Sequence, residues 1–131
     1  MAEHPNVQRI RDALDAYNAG DLERMRAFIA EDILWHVGGD HPLSGDYRGI
    51  DAVLDYYAQV KEQTGGTLTL EPIDVLANGD HGGIFMRVRG ERDGKTIDVE
   101  LAEALTFDEQ GRWAEYWALA DEQETVDSFW R

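Results

Sequence analysis

"TIDVELAEALTFDEQGRWAEYWALA", Thr96 to Ala120, decides the fold. In its first half Ile97, Val99, Leu101, Leu105 and Phe107 alternate with Asp98, Glu100, Ala102, Ala104 and Thr106, the two-residue period of a strand with one buried face. The string "DEQG" (108–111) then supplies turn chemistry and "RWAEYWALA" follows, which predicts a long antiparallel hairpin. Upstream, "RDGK" (92–95) and "ANGD" (77–80) are two more hairpin signals, so the chain from Thr67 onward reads as a four-stranded meander. Ile84, Met86 and Val88 alternate there with Phe85, Arg87 and Arg89. Pro72 interrupts the first run, and the apolar parity shifts from Leu68 and Leu70 to Ile73 and Val75, the mark of a bulge or an edge strand.

Before Thr67 the period is helical. Val7, Ile10, Leu14 and Tyr17 define a first helix, and "NAGD" stops it at Gly20 and offers Asp21 as the cap of a second, which buries Leu22, Met25, Phe28 and Ile29. "DILWHV" (32–37) is a short strand, "WHVGGDHPLSGDYRG" (35–49) runs on into a loop, and Ile50, Val53, Leu54, Tyr57 and Val60 mark a third helix. In "ETVDSFWR" Val126, Phe129 and Trp130 predict a short docking helix at the other end. Helices followed by a meander imply an α+β class: a single domain over residues 1–131, with three N-terminal helices packed on a strongly bent, mainly antiparallel sheet. A sheet bent over helices leaves a cavity at its open end, where a small ligand usually sits.

Composition narrows the function. With 131 residues and a net charge of −15, the chain has little with which to neutralise phosphates, so nucleic acid is not an expected partner. It has no cysteine, no apolar run of membrane-spanning length and no leader-like pattern in "MAEHPNVQRI", so the expectation is a protein without a membrane, in the cytoplasm by default. His36, Asp40 and His41 match no specific ligand spacing, so neither a metal nor a cofactor is expected. No phosphate loop or nucleophile elbow is present in the sequence.

Two residues carry the sequence case for chemistry. Glu103 interrupts an apolar face, and a carboxyl among apolar side chains must be paired or protonated. His36 alternates with Ile33, Trp35 and Val37 and shares a face with Leu34; an imidazole there suits proton transfer near neutral pH. If His36 faces the helices, then Trp35 and Val37 face outward. The sheet face bearing Trp113 and Trp117 then predicts a homodimer interface, the alternative being cover by the C-terminal helix.

The strings "YNAGDLERMRAFIAEDILWHV" (17–37), "PLSGDYRG" (42–49) and "TFDEQGRWAEYW" (106–117), with the order of elements, resemble the NTF2-like superfamily, in particular the SnoaL-like polyketide cyclases and their ketosteroid isomerase relatives. The resemblance implies a cone-shaped NTF2-like fold. It places His36 where the isomerases hold their carboxylate base and Glu103 where they hold the protonated acid of the oxyanion hole. Ala13 stands where those enzymes have a hydrogen-bonding tyrosine, and Tyr17 lies one turn later. It directs Leu34, Tyr57, Met86, Val88, Leu101, Tyr116 and Ala118 into an apolar pocket. The expected function is cofactor-independent isomerase- or cyclase-type proton transfer on a small hydrophobic carbonyl compound, by His36, Glu103 and Tyr17. The alternatives are a non-catalytic ligand-binding or dimeric module and, third, a limonene-epoxide-hydrolase-type enzyme, which needs inward arginines.

Overall fold

The computed structural model describes residues 3–131; Met1 and Ala2, the start of the segment read for a leader, lie outside the described residues. Helix α1 (Pro5–Asn18) begins at His4, whose Nδ1 accepts the Asn6 N–H at 3.1 Å, with Pro5 in the first turn where its missing N–H costs nothing. The chain turns at Gly20 (φ 74°), a left-handed position, and Asp21 caps α2 (Leu22–Met25) by accepting the Arg24 N–H at 3.0 Å.

The second helix is shorter than its apolar spacing predicts. One α-turn and a 3₁₀ turn (Arg26–Phe28) end at Ile29, which opens β1 (Ile29–Val37) by pairing with Trp113. The expected layer of three N-terminal helices is therefore corrected to α1 and α3 (Ile50–Gln63) with a short connector between α1 and β1. Tertiary pairing has overridden local propensity. Strand β2 (Gly45–Arg48) lies in the segment read as a loop: it is four residues long, without apolar alternation, and gains its structure from pairing antiparallel with β1.

The meander is β3 (Thr69–Ala77), β4 (His81–Arg92), β5 (Lys95–Phe107) and β6 (Trp113–Ala120), followed by α4 (Gln123–Trp130). The six strands form one sheet in the order β2-β1-β6-β5-β4-β3, antiparallel throughout except where β1 runs parallel to β6. Strand β3 is an edge, and its register with β4 shifts between Pro72 and Asp74, as the proline and the change of parity predict. Asn18 fastens α1 to this edge: its amide donates to the Leu70 carbonyl at 2.7 Å and accepts the Leu70 N–H at 3.0 Å. At the other end of α1, Asn6 donates to the Asn78 carbonyl at 3.1 Å.

The β1–β6 pairing corrects the expected faces. Trp35 lies opposite Tyr116, their rings stack with centroids 3.7 Å apart, and Trp113 stacks on Trp35 at 5.9 Å. Trp35 and Trp113 are thus buried against the helices, 1% and 3% exposed, rather than presented to a partner. Trp113 changes face because the β5–β6 register shifts at Phe107, which lies opposite Trp113 while Thr106 lies opposite Glu115. One extra residue on β6 inverts the parity that simple alternation predicts. Trp117 keeps its expected outward place.

Asn18→Ala removes both hydrogen bonds that hold the start of β3 to α1, so urea denaturation should show a loss of about 1–3 kcal/mol. An unchanged midpoint would mean that packing alone holds the edge strand.

Candidate functional site

The inner face of the sheet, α3 and α4 enclose a cavity of about 100 Å³. Its wall is mostly aliphatic, with Val60 from α3, Leu70 from β3, Val88 from β4 and Val99 and Leu101 from β5. Trp35, Tyr56, Tyr57, Tyr116 and Trp130 supply aromatic surface. Helix α4 closes one side, and it is latched to the β1–β2 loop: Asp127 Oδ1 accepts the Asp40 N–H at 3.0 Å and the Gln123 amide at 3.0 Å, and Arg131 Nε donates to the Asp40 carbonyl at 3.2 Å.

Glu103 is the carboxyl group in this wall. The alternation of β5 turns it inward between Leu101 and Leu105, and the β5–β6 register brings Tyr116 close enough for its hydroxyl to donate to Glu103 Oε2. Burial pushes the Glu103 carboxyl up to about 8, against the opposing pull of the Tyr116 hydrogen bond. At neutral pH the group is predominantly the neutral acid, with Oε2 occupied by Tyr116 and Oε1 free to carry the proton. Burial also holds the Tyr57 hydroxyl well above its ordinary range and pushes Tyr17 up to about 12, so both stay neutral.

The residues expected beside Glu103 divide. Tyr57, Val88, Leu101, Tyr116 and Ala118 line the same cavity. Met86 is fully buried but packs in the core away from it, and Tyr17 is a core ring 5.2 Å from Tyr57 that does not reach the cavity wall. Leu34 shares the outer face with Glu115, its partner across β1 and β6, and also lies off the cavity.

His36 borders the cavity, yet its ring is bonded on the opposite side of the sheet. Nδ1 lies 2.7 Å from Asp46 and Nε2 2.8 Å from Glu115, and the ring stacks on Trp117 at 5.5 Å. Hydrogen bonds to Glu115 and then Asp46 raise the His36 pKa, so these carboxylates favour an imidazolium that donates from both nitrogens. The structure therefore does not bring His36 and Glu103 together. His36 ties β2 and β6 across β1.

Spacing gave little warning of some lining residues. Tyr56 and Trp35 differ by one position from the expected Tyr57 and His36; Val126 and Trp130, four apart on α4, had the helical signal that could have marked that wall. His41 also borders the cavity; its Nδ1 accepts the Leu43 N–H at 3.1 Å, and burial lowers its pKa. His36, Asp40 and His41 are thus separately engaged by Asp46 and Glu115, by Asp127 and Arg131, and by the Leu43 backbone. Arg87 and Arg89 lie on the outer face with Asp98, as their parity predicts.

Residues 10–116 match the SnoaL-like domain. The chain belongs to the SnoaL-like family. This SnoaL-like chain is 30% identical to the uncharacterized Mycobacterium tuberculosis protein Rv0034 over 99% of both chains. Its fold is similar to that of Bal32a, from a soil-derived mobile gene cassette, with a TM-score of 0.92, 28% identity and 96% of each chain covered. It is also similar to IdmH, a candidate polyketide cyclase of Streptomyces antibioticus, with a TM-score of 0.73 and 22% identity over 90% of this chain and 93% of IdmH.

The raised Glu103 pKa has a stability consequence. The folded chain keeps a proton that the unfolded chain releases above its ordinary pKa of 4.5, so wild-type stability is fullest below that value and falls as pH rises toward about 8. Glu103→Gln keeps the shape and an acceptor for Tyr116 without the ionisation. Its melting temperature should match wild type near the unfolded pKa and exceed it increasingly up to about pH 8, by a few kcal/mol in stability terms. Parallel curves for the two proteins would show that Glu103 ionises freely in the fold.

Proposed function

We propose that this SnoaL-like protein is a cofactor-independent acid/base enzyme acting on a small hydrophobic carbonyl compound, with isomerase- or cyclase-type proton transfer. The observation that carries the reading is Glu103, buried in the wall of an apolar cavity and bonded by Tyr116. A carboxyl whose pKa of about 8 lies close to working pH both gives and takes a proton readily. In this reading Glu103 donates from Oε1 to the substrate oxygen while a solvent water at the cavity mouth takes the proton from the adjacent carbon; as the carbonyl re-forms, the enol O–H proton returns to Glu103 and the water delivers its proton to the far carbon of the enol system. Tyr116 keeps the carboxyl oriented and stabilises its ionised form between the two transfers. His36 has no part in these steps, because its two nitrogens are held by Asp46 and Glu115. The cyclase description attached to IdmH supports the reaction class as an analogy of fold.

The probe reaction is conversion of cyclohex-3-enone to cyclohex-2-enone, a proton shift within one ring that is followed by ultraviolet absorbance of the conjugated product. Wild type should accelerate it over buffer, Glu103→Leu should lower the enzymatic rate by about 100-fold or more, and His36→Gln should leave it within about threefold. Equal rates for wild type and Glu103→Leu would overturn the acid/base reading. The alternative is a ligand-binding module without catalysis. It is favoured by the fact that, among the described residues, each histidine bordering the cavity already has a hydrogen-bond partner outside it.

We also infer that a second copy of the chain covers the outer face of the sheet. Register aligns Phe85, Ala102 and Leu119 in one row and Gly83, Ala104 and Trp117 in the next, and Leu119 is 72% exposed. For a chain with a net charge of −15, this uncharged strip is the surface on which two copies can meet without like-charge repulsion. Sedimentation should give a dimer for wild type and a monomer for Leu119→Glu; a monomeric wild type would remove the inference.

A further inference from the structure

The size and charge of the cavity narrow its ligand further than the family does. An apolar protein cavity of about 150 Å³ holds benzene. The cavity here, at about 100 Å³, is smaller still, so it holds at most one small ring and no fused rings while α4 remains latched. Among the described residues no lysine or arginine lines it, and Arg131, which follows α4, is bonded to Asp40 and Glu124. An anion entering would lose its hydration with no free counter-charge, because His36, the cation at the border, is already paired with Asp46 and Glu115, and it would meet Glu103 in a chain that is already strongly negative. A neutral oxygen loses much less on entry and meets the Glu103 carboxyl in a wall that also holds Tyr56 and Tyr57.

We propose that the cavity takes a neutral, single-ring compound bearing one carbonyl or phenolic oxygen, with that oxygen on Glu103, and rejects both anions and fused ring systems. This deepens the reading above and rests on it for the role of Glu103, but the size and charge limits come from the cavity wall alone. Aliphatic side chains from β3, β4, β5 and α3 form this wall, so the limit on size is set by packing.

Four probes test it by titration calorimetry on the wild-type protein at pH 7, with quenching of tryptophan fluorescence as a second readout, since Trp35 and Trp130 line the cavity. Phenol and cyclohex-2-enone should bind and quench. Benzoate, which has the ring of phenol with a charge added, and 2-naphthol, which has the hydroxyl of phenol with a second ring, should each bind at least about tenfold more weakly than phenol. Leu101→Ala, which deletes part of the wall at a partly exposed position, should admit 2-naphthol without admitting benzoate. Benzoate or 2-naphthol binding wild type as tightly as phenol would overturn the proposal, and so would failure of all four to bind. Phenol and cyclohex-2-enone binding with no enone isomerisation would uphold the ligand class and remove only the catalytic reading.

Discussion

The stack of Trp35 on Tyr116, where β1 runs parallel to β6, is the contact on which the site depends. Two large rings at 3.7 Å fix which face of β1 is buried, and in a strand that choice sets every other side chain. With Trp35 inside, Ile33 joins the core while Leu34 and His36 are turned to the outer face. The same contact holds Tyr116 where its hydroxyl meets Glu103 one strand further along. Replacing either ring would therefore disturb the cavity wall, the orientation of the carboxyl and the attachment of the β1–β2 edge together.

Desolvation sets the state of the carboxyl. A glutamate on the outer face would ionise near its ordinary pKa and act only as one more negative charge among many. Glu103 instead sits among aliphatic and aromatic groups that cannot solvate a charge, so it keeps its proton into the neutral range. The fold sustains the cost of that burial through extensive strand pairing and a packed aromatic cluster on either side. His36 shows the opposite case two strands away: half-buried between two carboxylates, it is driven toward its charged form and becomes a tie between strands.

The C-terminal helix also meets the β1–β2 loop at the site. Helix α4 contributes Gln123, Val126 and Trp130 to the cavity wall and is held to the β1–β2 loop through Asp127 and Arg131. The enclosed volume thus depends on a latch of a few hydrogen bonds as well as on core packing. Asp40 and Asp127, far apart in sequence, are joined in that latch.

Much of this was legible from the residues alone. Alternation with three turn signals specified the meander, Pro72 with its parity shift marked the edge strand, and Glu103 stood out because a carboxyl interrupted an otherwise apolar face. Those readings depend on short-range chemistry, which a sequence carries directly. Alternation also separated Trp35 from His36, but it could not say which of them was inside, because period two is symmetric between faces. The parallel β1–β6 pairing and the extra residue beside Trp113 broke that symmetry, and both are long-range contacts. The same holds for the shortened second helix, whose last apolar residue was recruited into a strand, and for β2, which has no apolar pattern of its own. Sequence alone determined the α+β architecture, the meander and the buried acid; tertiary pairing decided which side of β1 the acid would see, and so took His36 out of its reach.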